Sequence, residues 1–193
     1  MHHIFSPGKL VTLSHPQRTQ WVIDEIIDEI DEQEEENSEE LLSFATAKIS
    51  CTSNDDERTK AMMRVYLQVP YTNTELEDSA TRAQQATACD PAELDAYKTL
   101  SRNQWTSKFT PKLLAYMVAQ QKDLGLVPGG FIVCIVWQVV PGLWLGDSFG
   151  SAPFWDSVQD IAERNRIRAQ FQDTYQSVVS IKVSCLHQMK CSH

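Results

Sequence analysis

The chain has 193 residues, 42% of them apolar and 22% charged, and a formal charge of −9. That is enough apolar material for one packed domain, which excludes a disordered chain. The negative surplus is local: residues 21–40 hold eleven acids and neither Lys nor Arg. With no basic stripe anywhere, neither nucleic acid nor an anionic membrane is expected as a partner.

The N-terminus, MHHIFSPGKL, has no long apolar core of the kind a secretory signal carries. The cysteines are odd in number and irregularly spaced (Cys51, Cys89, Cys134, Cys185 and Cys191), which suits free thiols in a reducing cytosol. A cytoplasmic location is therefore expected.

From Trp21, the run WVIDEIIDEIDEQEEE repeats apolar residues at three- and four-residue spacings (Val22, Ile23, Ile26, Ile27, Ile30). That spacing predicts an amphipathic helix over residues 21–30 with an acidic outer face. Residues 31–40 are expected to be partly disordered, because their like charges repel. Two β-rich runs around the polar stretch TSNDDE predict a hairpin of Leu42–Cys51 and Thr59–Val69, closed by Pro70. The polar segment from Tyr71 to Asp90 predicts a loop or a loosely held helix.

Asp90, Pro91 and Glu93 have the spacing of a capping box with proline at the first helical position, which predicts a helix over Asp90–Asn103. A strand over Pro111–Gln120 and a partner over Phe131–Val140 follow, joined by the turn KDLGLVPGG. The apolar run from Gly129 to Asp147 is not a membrane span, since Gln138, Pro141 and Gly142 interrupt it well short of about 20 residues. Its β-branched and aromatic content reads as a strand buried on both faces. Last comes a long helix pattern over residues 154–180, with Ile161, Ile167, Phe171, Tyr175 and Val178 as its buried stripe. Hairpins with one inserted helix indicate an α+β fold with an antiparallel sheet.

The segments AMMRVYLQVP, AELDAYKTL, TPKLLAY, LVPGGFIVCIVWQVVPGLWLGD and FWDSVQDIAERNRIRAQF carry a resemblance. Together they resemble the N-terminal lobe of fungal protein-kinase-like proteins related to aminoglycoside and choline phosphotransferases. The resemblance covers about residues 42–180. It implies an N-terminal extension (1–40), a kinase-like N-lobe and hinge (41–147), the helical start of a C-lobe (148–180) and a divergent tail (181–193). Thr59–Val69 would be the strand that bears the phosphate-contacting cation, Asp90–Asn103 would be helix C, and Phe131–Val140 would run into the interlobe hinge. The nucleotide-binding positions it implies are Arg64 and Lys60 on the strand, Glu93 on the helix, the backbone of Gln138, Val139 and Val140 at the hinge, and Asp147 beyond it. ATP is the ligand implied.

The parts that perform phosphoryl transfer can be checked one at a time. A phosphate-covering loop needs glycine, and there is none from Lys9 to Leu124. The strand cation is Arg64, a planar fork where the pattern has a lysine. After Asp173 there is neither Asp nor Glu, so no catalytic-loop Asp and no metal-binding Asp follow the long helix. No catalytic residue, metal site or cofactor is therefore expected. The tail carries Cys185, His187, Cys191 and His193, zinc-type donors without the usual CxxC knuckle. Val183-Ser184 is what a splice donor read in frame encodes, which makes a truncated gene product the expected origin of the tail. Two functions follow. One is an inactive, pseudokinase-type domain that serves as an interaction module for a protein partner. The other is a fragment of a phosphotransferase whose catalytic half lies outside this chain.

Overall fold

The computed structural model describes residues 5–35, 42–104, 106–141, 158, 160–179 and 189–192. Its strands are β1 (Leu10–Leu13), β2 (Thr19–Glu32), β3 (Phe44–Ser53), β4 (Lys60–Gln68), β5 (Ala88–Pro91), β6 (Leu113–Gln120), β7 (Phe131–Gln138) and β8 (Met189–Ser192). The helices are α1 (Ser79–Ala83), α2 (Ala92–Arg102) and α3 (Ile161–Val179). The fold is mixed α and β. Six strands form one antiparallel sheet in the order β1-β2-β3-β4-β7-β6, and β5 pairs with β8 in a separate ribbon.

The six-stranded sheet curls until its edges meet. His15, just after β1, exchanges backbone hydrogen bonds with Tyr116 of β6 at 3.0 and 2.9 Å. Closure of this kind removes the edge strands that would otherwise offer unpaired backbone groups. Alternate residues then point into a common interior. Val11, Leu13, Trp21, Ile23, Ile49, Cys51, Met63, Val65, Ala115, Cys134 and Val136 fill it, together with Phe5. A second apolar layer lies outside the barrel, where α2 covers the far face of β4 and β7. There Leu94 and Tyr97 pack with Tyr66, Val133, Ile135 and Trp137, and Tyr97 stacks on Trp137 with centroids 5.5 Å apart.

Residues 21–30 are not a helix. They lie within β2, the longest strand, and the reason is visible in its register. Ile23, Ile26 and Glu29 sit opposite Cys51, Ile49 and Ala47, and the register shifts between Ile23 and Glu25 and again between Ile26 and Asp28. Each shift is a β-bulge, which inserts one extra residue into one strand. Two bulges turn the two-residue repeat of a strand into a three-residue repeat, the same interval that a helix face shows. Strand β1 was not foreseen either.

Residues 31–35, expected to be partly disordered, are held. Glu34 accepts from Thr72 N through its carbonyl at 2.9 Å, its own N–H donates to Ser43 Oγ at 2.8 Å, and Gln33 Nε2 donates to Glu75 Oε1 at 2.7 Å. Residues 36–40 lie outside the described residues. Asp90 does not cap α2. Pro91 occupies the cap position without a side-chain hydrogen bond, because Asp90 is committed to the β5–β8 ribbon opposite Lys190. The stripe expected to be buried on α3 is largely open: Phe171 is 60% exposed and Tyr175 57%. The tail residues Cys185, His187 and His193 lie outside the described residues, as do the segment 142–157 and the junction at 183–184.

Candidate functional site

Strand alternation positions the site. On β4, Ala61, Met63, Val65 and Leu67 point into the barrel, so Arg64 and Tyr66 share the outer face. Helix α2 crosses that face with Glu93 in its first turn, where the helix dipole favours a negative side chain. One carboxylate oxygen of Glu93 then serves two donors. Tyr66 Oη donates to Glu93 Oε2 at 2.6 Å and Arg64 Nη1 at 3.3 Å. The pair is half-buried, with Arg64 33% and Glu93 24% exposed.

The surroundings bias these groups. Burial alone would weaken the Arg64 charge, but Glu93 and the Tyr66 oxygen outweigh it and hold its pKa above the ordinary guanidinium value. Burial, then the charge and hydrogen bond of Glu93, push the Tyr66 phenol well above its ordinary range. Tyr97 moves the same way, first through burial and then through the Glu93 charge. Both phenols are therefore neutral hydrogen-bonding groups at physiological pH.

A groove of about 560 Å³ opens beside the pair, between α2 and the outer face of β2, β3 and β4. Arg64, Tyr66, Glu93 and Lys48 line its floor, Leu100 and Pro111 one wall, and Asp28, Ile30 and Glu32 the other. In the sheet register Asp28 sits opposite Lys48, and Lys48 opposite Arg64. The row therefore sets one acid, Asp28, beside two bases, Lys48 and Arg64. Ile30 remains 50% exposed on the rim.

The structure brings Arg64 and Glu93 together, and it separates the other residues singled out in the sequence. Lys60 points to the far end of the sheet, where its ammonium donates to Asp24 Oδ2 at 3.2 Å and Thr52 Oγ1 at 2.6 Å. Gln138 ends β7, with its N–H donating to Lys112 O at 2.9 Å. Val139 and Val140 follow at 43% and 60% exposed. None of the three lines the groove. Asp147 lies outside the described residues. Sequence reasoning missed Tyr66, Lys48 and Asp28. The first was within reach, since it stands two residues from Arg64 on the same strand. The other two depend on cross-strand register.

Among the described residues no three His, Cys, Asp or Glu side chains come together in a way that could hold a metal ion. No helix among them is long and apolar enough to cross a membrane. No family model, curated protein or solved structure matches this chain.

Proposed function

We propose that this chain is a non-catalytic, protein-kinase-like binding module that takes a segment of a protein partner into the groove beside α2. The observation that carries this reading is the internal answer to Arg64. Its guanidinium is held by Glu93, and Glu93 is held in turn by Tyr66. A cation committed in this way is not offered to a phosphate, and an added triphosphate would meet Asp28 and Glu32 on the opposite wall. Charge of that sign repels phosphate and attracts basic side chains. The same wall carries the exposed Ile30, so the occupant that fits best combines positive charge with an apolar residue. An apolar groove with a few fixed polar groups is the usual form of a binding cleft.

The test is a thermal-shift titration with two ligands, magnesium–ATP and a basic amphipathic peptide. The peptide is expected to stabilise the protein, less so at high salt and less so in Asp28→Asn/Glu32→Gln. ATP turnover above background that disappears in Arg64→Ala would overturn the reading. A second reading, the ATP-binding part of a phosphotransferase completed by another polypeptide, is favoured by one feature: a strand cation paired with a helix carboxylate. It requires magnesium-dependent stabilisation by ATP, which the same titration measures.

A further inference from the structure

Helix α3 carries a face that combines apolar and basic residues. Ile167, Phe171, Tyr175 and Val178 follow one another at intervals of four, four and three residues, so they share one side of the helix. Phe171 and Tyr175 are exposed, with their rings stacked 5.9 Å apart. Arg164 and Arg168, three residues before Ile167 and Phe171, lie on that same side. Arg166 turns away from it, to Glu163, its partner at 2.6 Å. An exposed apolar patch of this kind marks a contact surface.

The complement of that face is on the same chain. Strand β2 holds six acids and no base. It supplies Asp28, Ile30 and Glu32 to one wall of the groove, and Ala96, Leu100 and Pro111 line the side toward α2. None of the residues that line the groove belongs to α3, so a single copy leaves both halves of the match open. We propose that the occupant of the groove is α3 of a second copy, each copy lending its helix to the other. The inference rests on the reading of the groove as a peptide-binding cleft and names what fills it.

Charge and dimensions both fit. A helix that lies in a groove presents anchors at intervals of three, four and seven residues, which is the pattern of Ile167, Phe171 and Tyr175. The basic pair meets the acidic wall, where opposite charges attract. From the middle of the Arg164–Arg168 pair to the middle of the Phe171–Tyr175 pair the helix rises about 10 Å. Strands β2 and β4 are two strand spacings apart, also about 10 Å. A helix laid across the strands therefore sets its arginines on Asp28 and Glu32 while its two rings reach Ala96 and Leu100. A two-fold arrangement makes the contact twice and so doubles the area it buries.

Sedimentation velocity of the full chain over a concentration series tests this. The parent is expected to run as a dimer. Arg164→Glu/Arg168→Glu and Asp28→Lys/Glu32→Lys are each expected to run as monomers. An equimolar mixture of the two variants should dimerise again, because each helix then meets a strand of opposite charge. Phe171→Ala, which changes no charge, should weaken the dimer about tenfold or more, as loss of an aromatic anchor does. A dimer that neither charge reversal disturbs would overturn the proposal, and so would variants that stay monomeric when mixed, the result expected if each helix docked on its own chain. A monomeric parent would overturn it too. If the basic peptide still stabilises that monomer, the groove reading stands and only the second copy falls; if the peptide has no effect, both fall.

Discussion

The two faces of β4 do opposite work with the same backbone. The inward face, Ala61, Met63, Val65 and Leu67, is apolar and at most 1% exposed. The outward face carries Arg64 and Tyr66, which are hydrogen-bonded to a helix that arrives from elsewhere in the chain. Inside the barrel the packing is mainly non-directional, and the free energy follows area and volume. Outside it, a few directional bonds fix one carboxylate. The comparison teaches where tolerance to change should lie: volume matters on one side, charge and hydrogen bonding on the other.

The sharpest way to break this contrast is to hollow out the interior. Met63→Ala removes a fully buried side chain and is expected to cost about 2–5 kcal/mol in urea unfolding. A loss below about 1 kcal/mol would mean the barrel is not close-packed there. Next in size is Glu93→Ala, which leaves a half-buried guanidinium and a phenol without their acceptor. The expected cost is about 1–3 kcal/mol, and Glu93→Gln should cost less because one acceptor oxygen survives. Spectrophotometric titration adds a second readout. In Glu93→Gln the Tyr66 phenol should ionise at lower pH than in the parent, yet still above the ordinary range, because burial remains.

Alkaline pH separates the two faces further. The folded Cys134 thiol holds its proton to about 12, while the unfolded thiol releases it from about 9. Across that window the unfolded state binds fewer protons, so stability is intact below about pH 9 and falls as pH rises. At pH 10 this one group contributes a loss on the order of 1 kcal/mol relative to neutral pH. Chemical denaturation of the parent and Cys134→Ala at a series of pH values should show the shallower alkaline slope in the variant, and equal slopes would refute the assignment. The smallest effect belongs to Lys60→Ala. Its pair with Asp24 is open to solvent, so a loss within about 1 kcal/mol is expected. A larger loss would mean that the β2 bulge at Asp24 depends on that ammonium.

What was legible in the residues and what was not divides along a physical line. Short apolar runs, rich in β-branched and aromatic residues and bounded by turn formers, marked the strands β3, β4, β6 and β7, because a strand shows its character over a few neighbouring residues. The Asp90-Pro91-Glu93 start signal placed α2 to within two residues at its start, although Pro91 and not Asp90 takes the cap position. The site was legible in part: Arg64 and Glu93 meet, and nothing in the spacing alone put Lys48, Asp28 or Tyr66 beside them. Lys60 shares a strand face with Arg64 yet belongs to another cluster.

By itself, then, the sequence determined an antiparallel α+β domain, the apolar runs that became its strands, and one acidic segment. Only the tertiary structure decided what that segment is. An isolated run of isoleucines every three or four residues suits a helix, but β3 offers Cys51, Ile49 and Ala47 at two-residue intervals. Two bulges in β2 reconcile the two periods. Pairing a long strand and closing a barrel satisfy more backbone groups and bury more apolar surface than one exposed acidic helix could. That choice depends on partners far away in the chain, which no local pattern can carry.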